Sequence, residues 1–122
     1  MISARKNEIY NFENEYYYDI FKLSNFINEN YDKIIIRKAP IDQNLLYHIS
    51  SYKELDEDWV KDMPITRAEE PILVAELPNG QFRVIDGHHR INRLHRSGCT
   101  EISVISIPKE IIASFIMQKE VG

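Results

Sequence analysis

The stretch VIDGHHRINRLHRSG, residues 84–98, constrains the fold of this chain more than any other part of it. Two apolar residues run into Asp86 and Gly87, and a block rich in histidine and arginine follows at once. We predict a strand that turns sharply through Gly87 into a helix beginning near His88, with Gly98 as its C-terminal stop. The first N–H groups of such a helix lack acceptors within the helix and lie at the positive end of its dipole. The sequence therefore predicts an anion site, above all for phosphate, at this turn.

Several residues of this block suit a phosphate ligand. Gly87 has no side chain, so a phosphate can approach the backbone closely, and Arg90 can bind it through two parallel N–H bonds. Asp86 can cap the helix, orient a histidine or help to hold Mg²⁺. The predicted ligand-binding residues are Gly87, His88, His89, Arg90 and Arg93.

The segments around this block predict a small mixed sheet. Asn79-Gly80, between apolar runs at 72–77 and 81–85, is typical of a β-hairpin because both residues tolerate positive φ. Apolar residues alternate with serines over 102–107, which predicts another strand.

Weaker patterns predict the remaining elements. Residues 1–10 form a polar lead-in, the aromatic group at 16–21 has the spacing of helical core residues, and residues 41–50 fit either a short helix or a loop. His95 is expected to be partly buried, and Cys99 to pack behind the motif helix. The further predicted elements are a helix over 13–28, a buried strand over 33–38, a helix over 52–61 opened by a Ser51/Glu54 capping box, and a helix over 109–119. The result is one α+β domain over 1–122 with a small mixed β-sheet, flanking helices and the order α-β-α-β-β-α-β-α.

Composition and charge limit the partners. The net charge of −4 argues against a non-specific DNA-coating protein, whereas the local basic strip Arg83, Arg90, Arg93 and Arg96 leaves a nucleic-acid partner open. Cys99 is the single cysteine, so an internal disulfide is excluded. No apolar run approaches the roughly 20 residues of a membrane helix. We therefore expect no membrane partner and a cytoplasmic location.

The motif VIDGHHRINRLHRSG followed by EISVISIP resembles the ParB/sulfiredoxin-like superfamily over residues 70–108, and its DGHHR wording is most similar to the free serine kinase branch. The resemblance implies that Asp86, His88, His89 and Arg90 hold phosphates and Mg²⁺. His88 stands where sulfiredoxins carry their catalytic cysteine, so sulfiredoxin activity is not expected. Of the G-E-R-R motif that serves CTP binding in ParB proteins, Gly87 and Arg90 are matched. Arg93 stands where the kinase branch usually has alanine.

Three functions follow as hypotheses. The first is a nucleotide-dependent phosphotransferase or nucleotide hydrolase that uses ATP, ADP or CTP with Mg²⁺ on a small-molecule substrate. Its catalytic residues are expected to be Asp86 and, as a base, Glu69 or Glu70, with Asp42 as a further carboxylate; Glu69 and Glu70 also fit a solvated loop. The second is a DNA-associated partition- or nuclease-like accessory protein, and the third is a catalytically inactive protein-binding module of immunity or regulatory type.

Overall fold

Two β-sheets and a set of short helices make up the part of the chain that the computed structural model describes, residues 2–4, 6, 8–13, 15–50 and 56–117. The strands are β1 (Ile9–Phe12), β2 (Tyr16–Asp19), β3 (Arg37–Pro40), β4 (Ile72–Glu76), β5 (Phe82–Asp86), β6 (Glu101–Ile107) and β7 (Ile116–Met117). The α-helices are α1 (Ile20–Glu29), α2 (Gln43–Ser50), α3 (Glu57–Asp62), α4 (Ile65–Ala68), α5 (His88–Arg96) and α6 (Lys109–Ile112), and 3-10 turns lie at Tyr31–Lys33 and Ala113–Phe115.

The central sheet has the strand order β3-β6-β4-β5. β4 and β6 run parallel, whereas β3 and β5 pair antiparallel with their neighbours. The smaller sheet, β1-β2-β7, is antiparallel. The predicted α+β class, with a small mixed sheet and flanking helices, is therefore confirmed.

The central sheet is buried on both faces, as the apolar sequence of β4 requires. On one face Leu73 and Ile85 join the first apolar layer, which also contains α1 and the smaller sheet. On the other face Ile72 and Val84 join the second apolar layer, which contains the inner side of α5. The motif helix is thus anchored to the sheet independently of the N-terminal elements.

The prediction of a helix over 13–28 is wrong for the first half of that range. Glu13 has a φ of 51°, and the N–H of Glu15 donates to the carbonyl of Phe12, so this segment is the turn of a hairpin. The three tyrosines at 16–18 form β2, because aromatic residues suit a half-buried strand with partners on both sides. The helix begins only at Ile20, where the Asp19 side chain caps it.

The isoleucine run at 34–36 is not a strand, although its β-branched residues favour one. β3 pairs with β6 only from Arg37 to Pro40, and Ile35 is 71% exposed. Pro40 is the last residue of β3, which the edge position of this strand tolerates. The strand propensity of these isoleucines does not bring them into the sheet, because pairing with β6 begins only at Arg37, three positions after Ile34.

The ends of the chain also differ from expectation. The final helix stops at Ile112, and Ile116 and Met117 pair with β2 instead of continuing the predicted helix over 109–119. In the expected polar lead-in, Ile2 and Tyr10 are buried in the first apolar layer.

The middle of the chain gives the remaining comparisons. Residues 43–50 are helical, which resolves that ambiguity. The Ser51/Glu54 capping box lies outside the described residues, and the helix that follows begins at Glu57, with the Asp56 side chain accepting from the N–H of Trp59. None of the helices described is long and apolar enough to cross a membrane.

Candidate anion site

Gly87 forms the tight turn between β5 and α5. Its φ of 113° and ψ of 11° lie in the left-handed region, which side chains disfavour. A Cβ at this position would collide with the side chain of Ile72 and would lie 3.1 Å from the guanidinium of Arg90. The position therefore needs glycine for two separate reasons, and the predicted strand–glycine–helix turn is confirmed.

The far end of the motif helix is closed as the sequence predicts. Gly98 has a φ of 82°, and its N–H donates to the carbonyl of His95. The N–H of Cys99 reaches back to the carbonyl of Leu94, which completes a Schellman motif. Cys99 is half-buried against the second apolar layer, where packing was expected. α5 is therefore fixed at both ends by its glycines.

Asp86 and Arg90 form a buried ion pair one helical turn apart. Asp86 is 6% exposed and Arg90 is 2% exposed. One terminal nitrogen of Arg90 lies 3.2 Å from a carboxylate oxygen of Asp86 and 3.0 Å from the carbonyl of Pro71. This nitrogen thus ties α5 to the start of β4, while the Nε of Arg90 has no hydrogen-bond partner among the described residues. Arg90 therefore has a structural role in addition to any contact with a ligand.

A small polar cleft opens at this turn. Its walls are residues 86–90 together with four side chains from elsewhere in the chain: Glu8, Trp59, Met63 and Arg67. Its volume is about 50 Å³, more than the roughly 30 Å³ that one water molecule occupies in the liquid. The cleft is thus of the size of a small anion and much smaller than a whole nucleotide.

A wider depression of about 480 Å³ adjoins the cleft and shares Trp59, Met63 and Arg67 with it. Three aspartates at 56, 58 and 62 and Pro64 complete its lining. Its volume falls within the roughly 300–1,000 Å³ of small-molecule sites. The two spaces together provide a narrow polar end and a broad end that contains one aromatic ring.

The two histidines of the motif lie at the first turn of α5, in different environments. His88 is buried, at 2% exposure, and lines the cleft. His89 is half-buried; its Nε2 accepts a hydrogen bond of 3.2 Å from the N–H of Asp56, and its ring centroid lies 6.1 Å from that of Trp59. Acceptance at Nε2 places the proton of a neutral imidazole on Nδ1. The structure thus brings both predicted histidines to one cleft.

The basic face of α5 beyond its first turn packs against α3 and the residues that follow it. The Nε of Arg93 donates to the carbonyl of Met63 at 2.9 Å, and another of its nitrogens contacts Ser97. Arg96 lies 2.6 Å from a carboxylate oxygen of Glu57. Arg93, predicted to bind the ligand, is not among the residues lining the cleft. His95 is exposed, so the expectation of partial burial was wrong.

Arg83, the remaining member of the basic strip, belongs to the opposite end of β5. It donates to Glu13 at 2.9 Å and lies 4.7 Å from the ring centroid of Phe12. Burial alone lowers the pKa of Arg83, but its contacts with Tyr10 and Glu13 outweigh burial and raise it. The arginines of the strip are thus engaged within the chain, which weakens the main support for a nucleic-acid partner.

The carboxylates expected to act as a base do not line the cleft. Glu69 is exposed at the end of α4, and Asp42 caps α2 through the N–H of Leu45. Glu70 binds Arg67 at 2.7 Å and also accepts the N–H of Ser3. Asp42 thus caps a helix and Glu70 fastens the N-terminal segment, and the catalytic role expected of Glu69 and Glu70 stays a prediction.

Glu8 is the carboxylate that the fold brings to the cleft beside Asp86. Its carbonyl accepts the N–H of Ile20, which fixes this segment against the start of α1. Glu8 lies 78 positions before Asp86 in the chain, and no local pattern links the two. Trp59 and Arg67 were missed for the same reason, since their place at the cleft is set by packing.

A metal site is not preformed here. The described residues contain no group of three or more histidine, cysteine or acidic side chains that could hold a metal ion. Asp86 has the cation of Arg90 beside it, which makes a second cation at the same carboxylate unfavourable. Asp86 alone is thus a poor candidate for the Mg²⁺ ligand that the sequence predicts it to be.

Comparison with known proteins leaves the resemblance to the ParB/sulfiredoxin-like superfamily as a prediction. The chain matches no protein-family model, and no significant match exists among curated proteins or solved structures.

Proposed function

We propose that this chain binds the phosphate end of a nucleotide in the cleft at the N-terminus of α5. The observation that carries the proposal is the glycine turn at Gly87, which opens a nine-residue helix onto a cleft lined by buried polar side chains. The helix dipole and backbone N–H groups of such a turn favour an anion. The sequence resemblance, which rests on the same residues 86–90, supports a nucleotide-binding domain of ParB/sulfiredoxin-like fold.

Two arginine side chains, Arg90 and Arg67, would have roles in binding the nucleotide. The Nε–H of Arg90 is a buried donor that a phosphate oxygen can satisfy, while the neighbouring nitrogen keeps its bond to Asp86. Arg67 stands where the cleft meets the depression. The ribose and base would then lie in the depression beside Trp59, since the cleft holds little more than one phosphate.

Phosphoryl transfer to a hydroxyl, or to water in the case of a hydrolase, is the reaction that this arrangement supports best. Glu8 replaces Glu69 and Glu70 as the candidate base. Its carboxylate would accept the hydroxyl proton as the oxygen attacks the terminal phosphorus, and the bond from that phosphorus to the bridging oxygen would break, releasing the nucleotide shortened by one phosphate. The phosphate oxygens of the nucleotide would have to supply most of the ligands of any Mg²⁺ ion, because Asp86 is already paired with Arg90. A cytoplasmic location, where nucleotides are abundant, agrees with this proposal.

Calorimetric titration tests the binding site. The purified full chain is titrated with ATP, ADP, CTP and inorganic pyrophosphate, with and without Mg²⁺. His89→Ala removes a cleft side chain, and His95→Ala, an exposed histidine on the same helix, is its matched control. We expect His89→Ala to weaken binding about tenfold or more, the worth of a hydrogen bond to a charged group of about 1.5 kcal/mol. His95→Ala should bind as the parent chain does.

The opposite results are equally decisive. Absence of heat for every phosphate compound at millimolar concentration would overturn the proposal and favour the protein-binding alternative. Binding that His95→Ala and His89→Ala reduce equally would place the ligand outside the cleft.

Turnover is tested separately from binding. Hydroxyl acceptors are supplied with ATP or ADP, serine first because the resemblance implies it, and the transfer of phosphate is followed by phosphorus NMR. Glu8→Gln should retain nucleotide affinity and lose turnover. Full turnover in this variant would exclude Glu8 as the base, and Glu69→Gln serves as the control carboxamide.

A further inference from the structure

The pairing of β3 along its neighbour β6 is incomplete. β3 pairs with β6 as far as Arg37 opposite Val104. β6 continues through Ile105, Ser106 and Ile107, where it still pairs with β4 on its other side. Among the described residues, no strand pairs with these three on the β3 side. A strand edge of this kind is a ready template for another extended chain.

A groove of about 320 Å³ lies along this edge. Its lining is mainly apolar and comes from α1, from Ile34 and Ile35, from the end of β6 and from α6. Ile35 lines it and is 71% exposed. Two of the three isoleucines that the sequence predicts in a buried strand, Ile34 and Ile35, thus line an open groove.

The groove is basic in a protein that is acidic overall. Lys33 and Arg37 are exposed and line it, and no carboxylate is among its lining residues. The whole chain carries a net charge of −4. Charge complementarity therefore selects an acidic occupant, and the apolar lining requires that this occupant also carry apolar side chains.

We propose that this groove binds an extended segment of a partner protein in which acidic residues flank apolar ones. The backbone of the segment adds beside Ile105–Ile107 in the position that residues 34–36 leave open, as in β-strand addition. Its apolar side chains enter the groove, and its carboxylates meet Lys33 and Arg37. The site shares no lining residue with the anion cleft, so it does not depend on the proposed function.

Selection from a random peptide library tests the proposal. The full chain is immobilised, phage-displayed peptides are selected on it, and the enriched peptides are synthesised. We expect enrichment of sequences with aspartate or glutamate beside apolar residues. Their binding should shift the backbone NMR signals of residues 33–37 and 105–107 more than those of 86–90.

Charge variants distinguish specific binding in the groove from non-specific binding elsewhere on the surface. Lys33→Glu/Arg37→Glu should weaken the peptides at least about tenfold, whereas Lys22→Glu/Lys61→Glu, an equal charge change at exposed positions outside the groove, should have little effect. Ile35→Lys and Ile35→Glu lose the same apolar contact, so the lysine variant should bind acidic peptides more tightly than the glutamate variant.

Other outcomes overturn the proposal. These are the absence of enriched peptides, enriched peptides without acidic residues, or binding that survives Lys33→Glu/Arg37→Glu. A monomer–dimer equilibrium of the parent chain that the same variant abolishes would assign the groove to a second copy of this chain. Sedimentation velocity at several concentrations measures this directly.

Discussion

The buried pair of Asp86 and Arg90 predicts a large loss of stability when Arg90 is replaced by methionine. The substitution keeps an unbranched apolar side chain about as long as the aliphatic part of arginine and removes the guanidinium. It leaves the Asp86 carboxylate, which is 6% exposed, without its ion-pair partner, and the carbonyl of Pro71 without its donor. Breaking a buried ion pair from one side typically costs about 3–5 kcal/mol. That is a large share of the about 5–15 kcal/mol that stabilises a domain.

Urea unfolding measures this loss. Trp59 is the single tryptophan of the chain, so its fluorescence reports the cleft side of the molecule, and far-UV circular dichroism reports the whole. The matched control is Arg96→Met on the same helix, which removes an exposed ion pair with Glu57 worth at most about 1 kcal/mol. The difference between the two variants is then about 2 kcal/mol or more, so we expect the unfolded fraction to rise at least about thirtyfold in Arg90→Met relative to Arg96→Met.

A double-mutant cycle with Asp86→Asn then isolates the pair. The two single substitutions should be non-additive by about 0.5–3 kcal/mol, since each leaves a buried partner unsatisfied. Equal stabilities of Arg90→Met and Arg96→Met, or strict additivity in the cycle, would refute the buried pair. The same experiment shows why Arg90→Ala is a poor test of phosphate binding: loss of the fold and loss of the ligand contact would coincide.

Two further predictions concern the N-terminal elements. Asn28→Ala removes both hydrogen bonds, each 2.8 Å, between the Asn28 amide and the backbone of Ile2. It should lower the free energy of unfolding by about 1–3 kcal/mol and speed hydrogen exchange at Ile2. Unchanged exchange would contradict this contact. Burial raises the pKa of Tyr10 and Tyr18 above the ordinary 10.0. As the pH rises, the unfolded chain therefore loses these protons at a lower pH than the folded chain does. The urea midpoint should be steady below about pH 10 and fall above it. Tyr10→Phe should make that fall shallower, and an equally steep fall in the variant would exclude Tyr10 as a cause.

The motif region could be predicted from sequence because several local signals agree there. Asn79-Gly80 fixes the hairpin turn, Gly87 the entry of α5 and Gly98 its end, and each acts through backbone geometry that few other residues can adopt. These constraints need no distant partner. The strands and helix of this part were therefore placed correctly to within one or two residues.

The elements that were predicted wrongly depend on partners far away in sequence. Residues 16–18 become a strand because they lie between β1 and β7, and residues 116–117 leave the helical pattern for the same pairing. The run at 34–36 stays outside the sheet because β3 enters its register at Arg37. Periodicity measures which residues are apolar, but it does not choose the neighbour against which they are buried.

The site divides in the same way. The turn at 86–90 was found from local sequence, whereas Glu8, Trp59 and Arg67 reach the cleft only through packing of the N-terminal segment and α3. No pattern of residue types over a short window contains that information. Nearness in sequence to β4, the basis on which Glu69 and Glu70 were predicted as a base, does not bring either residue to the cleft.

The packing of α3 on α5 bears directly on the kind of anion that the site can select. An uncovered strip from His89 to Arg96 would present several cations along two helical turns, an arrangement suited to a polyanion. Instead Arg93 binds the carbonyl of Met63, and Arg96 binds Glu57. Positive potential that remains available to a ligand is thus concentrated at the first turn, in a cleft of about 50 Å³. The proposed site would therefore favour one phosphate group that enters end-on over a nucleic-acid backbone that must lie along the helix.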